Sequence, residues 1–377
     1  MSEYLRKLPQ NNSWNYAPTS SKSWTIDFPL LIGLLLVMSW GWVVLYSASD
    51  IDKVYRQAIH FGIGFISMMI VAQIPLDTLR RWSIFLFIAA VVLLSLVLLI
   101  GDHAKGAQRW LEIPGVIRFQ PSEIAKLAVP LFLTHFFCGQ MAGQPRIPPS
   151  LIQIFIAFCL ISIPATLIGM QPDLGTAIII SCSGILVLFF SGLRWRWILA
   201  CIIIAIPSSM VLWKSMYEYQ RRRVLTFLDP ESDPLGAGWN IIQSQTAIGS
   251  GGLTGKGWMA GTQSRLDFLP ESSTDFIYAV LAEEFGLQGV LLLLALYAFV
   301  VARGFMLAWS APKLYGRILA ATLTATFLMY IVINVGMVSG LLPVVGVPLP
   351  LISYGGTSVV TLMTGFGLIM ASKQKPL

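Results

Sequence analysis

Long apolar runs separated by short polar breaks make up most of this chain. They fall at 27–47, 56–74, 82–100, 121–138, 151–169, 174–191, 197–213, 287–303, 316–338 and 357–371. Most approach the roughly 20 residues with which an α-helix crosses the hydrocarbon core of a bilayer. The runs are continuous and do not alternate apolar with polar, which predicts helices and excludes barrel strands. The expected fold is an all-α integral membrane protein, a polytopic bundle of about ten transmembrane helices. One large loop, at 214–276, would separate helices 7 and 8. The boundaries that follow are a tail at 1–26, helices 1–7 at 27–213, the loop at 214–276, and helices 8–10 with a short tail at 277–377, together one membrane domain. The run at 121–138 is the least apolar, because Glu123 and Lys126 stand in its first turns, and is expected to lie partly out of the lipid.

Composition agrees with the pattern. Only 11% of the 377 residues are charged and 56% are hydrophobic, with a mean hydropathy of +0.74. A soluble domain carries about 25% charged residues, and fewer cannot coat a globule of this size. The net charge of +7 reads as membrane orientation and not as nucleic-acid binding. Arg6, Lys7, Lys22, Arg80, Arg81, Arg146, Arg194, Arg196, Arg303, Lys313, Arg317, Lys373 and Lys375 share one set of helix ends. The opposite short loops carry Lys53, Arg56, Lys105, Arg109 and Arg118. The positive-inside rule then places both termini in the cytoplasm and the 214–276 loop outside. Residues 1–26 read as a polar cytoplasmic tail and not as a cleavable signal. Cys138, Cys159, Cys182 and Cys201 read as small buried hydrophobes, and His60, His103 and His135 form no metal motif.

The polar chemistry gathers at the outer helix ends. In QPSEIAK, Pro121 opens a helix on which Glu123 and Lys126, three apart, share a face. They form either a packing ion pair or a cavity-lining site, since charges at membrane depth tend to mark function. Asp173 in QPDLGT stands at the N-cap position of the sixth helix. Ser273 or Thr274 can cap a helix beginning near Asp275, which puts Asp275 in its first turn at the mouth of the outer cavity. Asp275 is the candidate general base, whereas Glu283 and Glu284 read as structural, paired with polar groups in the bundle. The segment PLPLISYGG, 348–356, is broken by Pro and Gly, and such backbone is tolerated at membrane depth only inside protein or along a cavity. The stretch GSGGLTGKGW, 249–258, lacks the spacing of a phosphate loop: Ser250 and Gly257 occupy the positions that need Gly and Ser or Thr. It reads as a tight surface loop, the alternative being backbone amides placed near a pyrophosphate.

These stretches resemble the SEDS family (shape, elongation, division, sporulation) of cell-wall proteins. GAQRW (106–110), FQPSEIAKL (119–127), QPDLGT (171–176), YQRRRVLTFLDPESDPLGAGWNIIQSQTAIGSGG (219–252), LPESSTDFIYAVLAEE (269–284) and PLPLISYGGTS (348–358) are similar to its motifs and stand in the expected order. GLTGKGWMAGTQSRLDFLPE (252–271) is more similar to the elongation member than to the division member. Ser272 and Ser273 depart from the residues found in many members.

The resemblance implies a ten-helix peptidoglycan glycosyltransferase that polymerises lipid II at the outer face of the bacterial inner membrane during elongation and shape maintenance. Its essential aspartate falls on Asp275. The family's Glu and Lys at the start of the fourth helix fall on Glu123 and Lys126, and the full set of candidate substrate-binding residues is Lys126, Glu123, Arg109, Trp110, Asp173, Arg221, Arg223, Gln243 and Ser353. Lys126 and Arg109, helped by Arg221 to Arg223, would meet the departing undecaprenyl pyrophosphate, with Glu123 orienting Lys126. A divalent cation, Mg or Mn, would share that task, although the sequence shows no closed metal cage. The implied partners are a class B penicillin-binding protein acting as transpeptidase and other membrane proteins of the elongation complex. Two other readings stay open, a lipid II flippase and a non-catalytic scaffold for a penicillin-binding protein. Polar chemistry confined to one face favours the enzyme over the flippase, and a scaffold leaves the buried charges without a role.

Overall fold

The computed structural model describes residues 25–104, 107–113, 117–140, 148–194, scattered positions between 196 and 229, 237–265, 268–269 and 271–374. Six helices come first: α1 (Phe28–Ala48), α2 (Ile51–Gln73), α3 (Leu76–Ile100), α4 (Pro121–Gln140), α5 (Leu151–Met170) and α6 (Leu174–Phe190). Five follow: α7 (Ala237–Gly251), α8 (Thr262–Arg265), α9 (Ile277–Ser310), α10 (Leu314–Val338) and α11 (Gly356–Ala371). Six of these are long and apolar enough to cross a membrane, and α6 and α11 are shorter apolar helices. Most of the predicted seventh span, 197–213, and residues 1–24 of the predicted tail lie outside the described residues. Among the described residues there is one small non-helical element, a three-stranded antiparallel sheet between α3 and α4 formed by β1 (Asp102–Ala104), β2 (Ala107–Ile113) and β3 (Ile117–Phe119).

Burial shows how the helices are layered. α10 is the central helix, with 78% of its apolar window buried, against 22–44% for the other spanning helices. It packs on α4, α6, α9 and α11, while α1 packs on α9 and α2 on α11. α4 is enclosed by α3, α6, α10 and α11. Its charged first turns are therefore buried inside the bundle. Cys138 is buried as expected, but Cys159 is exposed, because α5 turns that face outward.

Ion pairs fix one end of the bundle. Asp27 accepts the Leu30 amide at 3.1 Å as the cap of α1. Its two oxygens also receive Arg303 of α9 at 2.9 and 2.8 Å, and Lys373, just beyond α11, at 3.4 Å. Arg303→Met removes the two-bond partner of a carboxylate that is 1% exposed and leaves it only the Leu30 amide and the longer Lys373 contact, a loss of up to about 3 kcal/mol. Lys313→Met removes a pair to Asp77, whose side chain is 58% exposed, and this should change little. Thermal unfolding in detergent should show a clear drop for the first variant and none for the second.

At the opposite end, α9 is broken. Gly286 takes φ 61°, ψ −160°, splitting a buried half-helix from the spanning one. The interrupted backbone groups find partners in the glycine-rich loop. The Lys256 and Gly257 amides donate to the Glu283 and Glu284 carbonyls, both at 3.0 Å. The Leu287 and Gln288 amides donate to Gly252 and Leu253 carbonyls at 3.0 and 3.2 Å. A Cβ at Gly255 would lie 2.1 Å from the Glu284 carbonyl oxygen, so only glycine allows this approach. The amides that a pyrophosphate would need are thus already engaged, and the run is a splice for a broken helix. Glu283, fully buried, accepts Lys256 at 2.7 Å and the Thr262 amide at 2.8 Å. Glu284 accepts the Ser47 hydroxyl of α1. Both glutamates are paired with polar groups in the bundle, as their sequence context suggested.

Candidate active site

The predicted residues converge at the end of the bundle that holds Asp275. Glu123 and Lys126 pair at 2.7 Å with both side chains under 10% exposed. The Lys126 ammonium also stands 5.5 Å from the centre of the Tyr330 ring of α10, a distance at which ring and cation attract. Glu123, Lys126 and Tyr330 line a cavity of about 40 Å³ whose other walls include Phe327, Leu362 and Phe366. It is a mostly apolar slot between α4, α10 and α11 with one ion pair in its wall.

Asp173 and Arg109 form a second cluster. Asp173 caps α6 by accepting the Thr176 amide at 3.3 Å and also accepts Gln120 at 3.1 Å. Arg109 lies 3.9 Å from Asp173 and donates to the carbonyls of Gln171, at 3.3 Å, and Pro172. Trp110 sits next to it on β2, half-buried. The start of α6 then approaches the broken segment, since a Cβ at Gly175 would lie 2.5 Å from the Val345 carbonyl oxygen.

Asp275 is half-buried in the turn that leads into α9. The helix begins at Ile277 with Phe276 as its cap residue, so Asp275 precedes the first turn and does not stand within it. Neither Ser273 nor Thr274 caps the helix. Thr274 bonds Glu271 at 2.9 Å, and Ser273 receives Lys53 at 3.4 Å. The turn is closed instead by Glu271, which adopts φ 58°. The 348–356 segment joins this turn, as expected for a lining segment. Ser353 donates to the Thr274 carbonyl at 2.5 Å, and a Cβ at Gly346 would stand 3.5 Å from the Asp275 carboxylate.

Two predicted residues stand apart from these clusters and a third cannot be placed. Arg221 is engaged with the Trp213 and Lys214 carbonyls at 2.9 and 2.6 Å. Gln243 lies half-buried on α7, and Arg223 is outside the described residues. The sequence reading missed Gln57 and Asn334, both 0% exposed. Gln57 donates to the Ser353 carbonyl and accepts the Gly355 amide, both at 3.2 Å. Asn334 donates to the Asp275 and Val347 carbonyls at 2.8 and 2.7 Å. The signal available for both was an amide side chain inside an apolar run, where a polar group needs a partner.

A helical bundle with buried charges at one end and a re-entrant half-helix defines a polytopic membrane protein built around a site at that end. Residues 22–375 match the FtsW, RodA and SpoVE family of cell cycle proteins, and the chain belongs to that family. It is 49% identical over 349 residues to the peptidoglycan glycosyltransferase MrdB of Escherichia coli K12, covering 92% of this chain and 93% of that one. It is 34% identical to stage V sporulation protein E of Bacillus subtilis, covering 93% and 98%. Among solved structures it is similar to a chain described under the structural coordination of polymerization and crosslinking by a peptidoglycan synthase complex (TM-score 0.79, 31% identity, 92% and 96% covered). It is also similar to the rod shape determining protein RodA of Thermus thermophilus (TM-score 0.68, 29% identity, 92% and 95% covered).

Proposed function

We propose that this multi-pass protein of the inner membrane is a peptidoglycan glycosyltransferase that polymerises lipid II into glycan strands during elongation. The likeness to MrdB supports the activity. The observation that carries the assignment of the site is the buried Glu123–Lys126 pair in a cavity wall, at the end of the bundle that holds Asp275.

The reaction transfers the donor sugar, with inversion, from undecaprenyl pyrophosphate to the 4-hydroxyl of an acceptor GlcNAc. Asp275 takes the hydroxyl proton as the new C–O bond forms and the bond to pyrophosphate breaks. Lys126 and Arg109 meet the charge that grows on the departing pyrophosphate, and Glu123 holds Lys126 in place. Among the described residues no three His, Cys, Asp or Glu side chains gather as metal ligands, and Glu123 and Asp173 are already paired. A divalent cation, Mg or Mn, would then enter with the substrate pyrophosphate. Arg303 and Lys373 gather with Asp27 at the far end, which supports a cytoplasmic location for that end, and for both termini, with the site facing outward. The partner is a class B penicillin-binding protein, a reading supported by the likeness to a chain of a peptidoglycan synthase complex.

The test uses the protein purified with that partner, lipid II as substrate, and moenomycin to silence contaminating conventional glycosyltransferases, with polymer read on a gel. Lys126→Met should lose polymer. Because this substitution leaves Glu123 buried and unpaired, it should also lower stability. Glu123→Leu combined with Lys126→Met removes the stranded charge, so it should melt near wild type and still make no polymer. Polymer from the double variant would overturn the role given to Lys126.

A further inference from the structure

We infer that α10 sets the spacing between the base and the leaving-group cation, with Asn334 and Tyr330 as its two positioning residues. The inference rests on the roles given above to Asp275 and Lys126.

The stretch that carries the base is held by its main chain. Three successive carbonyls, those of Ser273, Thr274 and Asp275, accept from the Tyr354 amide at 2.9 Å, the Ser353 hydroxyl at 2.5 Å and the Asn334 side chain at 2.8 Å. The first two donors belong to the Pro/Gly-broken segment, which has no helix of its own to stiffen it. The third stands on α10, the most buried spanning helix. Asn334 uses its second N–H on the Val347 carbonyl, immediately before that broken segment, at 2.7 Å. One side chain therefore ties both irregular segments to one rigid helix. A leucine of similar volume would fill the space but supply no donor, and would leave two carbonyls unpaired.

One turn earlier on α10, Tyr330 places its ring 5.5 Å from the Lys126 ammonium. Residues four apart share a helix face and are separated by roughly 6 Å along the axis. The helix thus presents two fixed points, one gripping the turn of the base and the other meeting the cation. Neither side chain needs to touch the reacting atoms, and both act through residues that do.

The experiment uses full-length protein with its class B partner in nanodiscs and measures kcat, KM for lipid II and Tm. Asn334→Leu should lower kcat about 100-fold, the loss that a misplacement of about 1 Å can cause. KM should stay within a few-fold and the protein should melt cooperatively. A wild-type kcat, or a loss carried mainly by KM, would overturn the proposal. If Asn334→Leu does not fold, Asn334→Gln keeps both donors on an arm one methylene longer and shifts the turn instead of freeing it. A wild-type kcat in that variant overturns the proposal as well. At the other point, Tyr330 meets Lys126 through its ring and through a hydroxyl hydrogen bond, so Tyr330→Leu should lower kcat about tenfold, while Tyr330→Phe, which keeps the ring and loses the hydroxyl, should recover part of that loss. A wild-type kcat in Tyr330→Leu removes Tyr330 from the proposal. Asp275→Asn is measured in parallel. Normal turnover there sinks the assignment of the base, whereas an inactive Asp275→Asn beside a fully active Asn334→Leu sinks only the positioning role.

Discussion

Replacing Asp275 by asparagine is expected to abolish polymerisation, by at least about 1,000-fold, within the range that general-base catalysis contributes, and to leave the fold intact. Both halves of that expectation have a physical basis. A sugar hydroxyl is a poor nucleophile until its proton is removed, and asparagine has the size of aspartate but cannot take a proton at neutral pH. The main chain of the turn is held through its carbonyls by Ser353, Tyr354 and Asn334, whatever side chain stands at 275. Melting temperature and membrane insertion should therefore match the wild type while lipid II consumption stops. Normal turnover in Asp275→Asn would sink the assignment. A scaffold would tolerate even Asp275→Ala, and a flippase would show its activity in a lipid-translocation assay and not as polymer on a gel.

Much of this site could be read in the sequence, for reasons that particular residues illustrate. Glu123 and Lys126 are three apart on a helix opened by Pro121, and their pairing follows from helical geometry once both are buried. Asp173 before an apolar run caps α6 as a short acceptor at that position should. What could not be read were the relations set by tertiary contact. The Ser273–Thr274 pair carries an N-cap signal, yet Thr274 bonds Glu271 and the helix starts later. Local hydrogen-bonding options compete, and the broken segment decided between them by taking the carbonyls of the turn. The polarity of α4 did not show which neighbours would satisfy its charges; they are satisfied by each other and by enclosure among neighbouring helices. Gln57 and Asn334 look like isolated polar residues until the two irregular segments are brought beside them. The long apolar run of α9 gave no sign in its own sequence, apart from Gly286, that it is two helices.

That break yields the largest expected effect on folding. Gly286→Val should prevent accumulation of folded protein, for two reasons that add. The backbone there has φ 61°, which for a β-branched residue is a genuine outlier and costs roughly 1–3 kcal/mol. The added Cβ would also lie 2.3 Å from the Gly255 amide nitrogen and 2.8 Å from the Leu253 carbonyl. These are backbone atoms of the loop that splices the helix, so they cannot swing aside as a flexible side chain would. Relieving the clash separates the loop from α9. That strands the Glu283 and Glu284 carbonyls at membrane depth, where no water replaces the lost donors. A glycine of the same rich stretch supplies the control. Gly249 lies inside α7 with nothing within 4 Å of an added Cβ. Gly249→Ala should therefore stabilise, by about 0.5–1 kcal/mol, through the lower conformational entropy of the unfolded chain. Fluorescence-detected size exclusion and thermal unfolding in detergent should show loss of the monodisperse peak for Gly286→Val and an unchanged or higher Tm for Gly249→Ala. If both variants behave alike, the glycines are only permissive loop residues, and the hydrogen bonds between 252–257 and 283–288 do not hold the half-helix on which Asp275 is mounted.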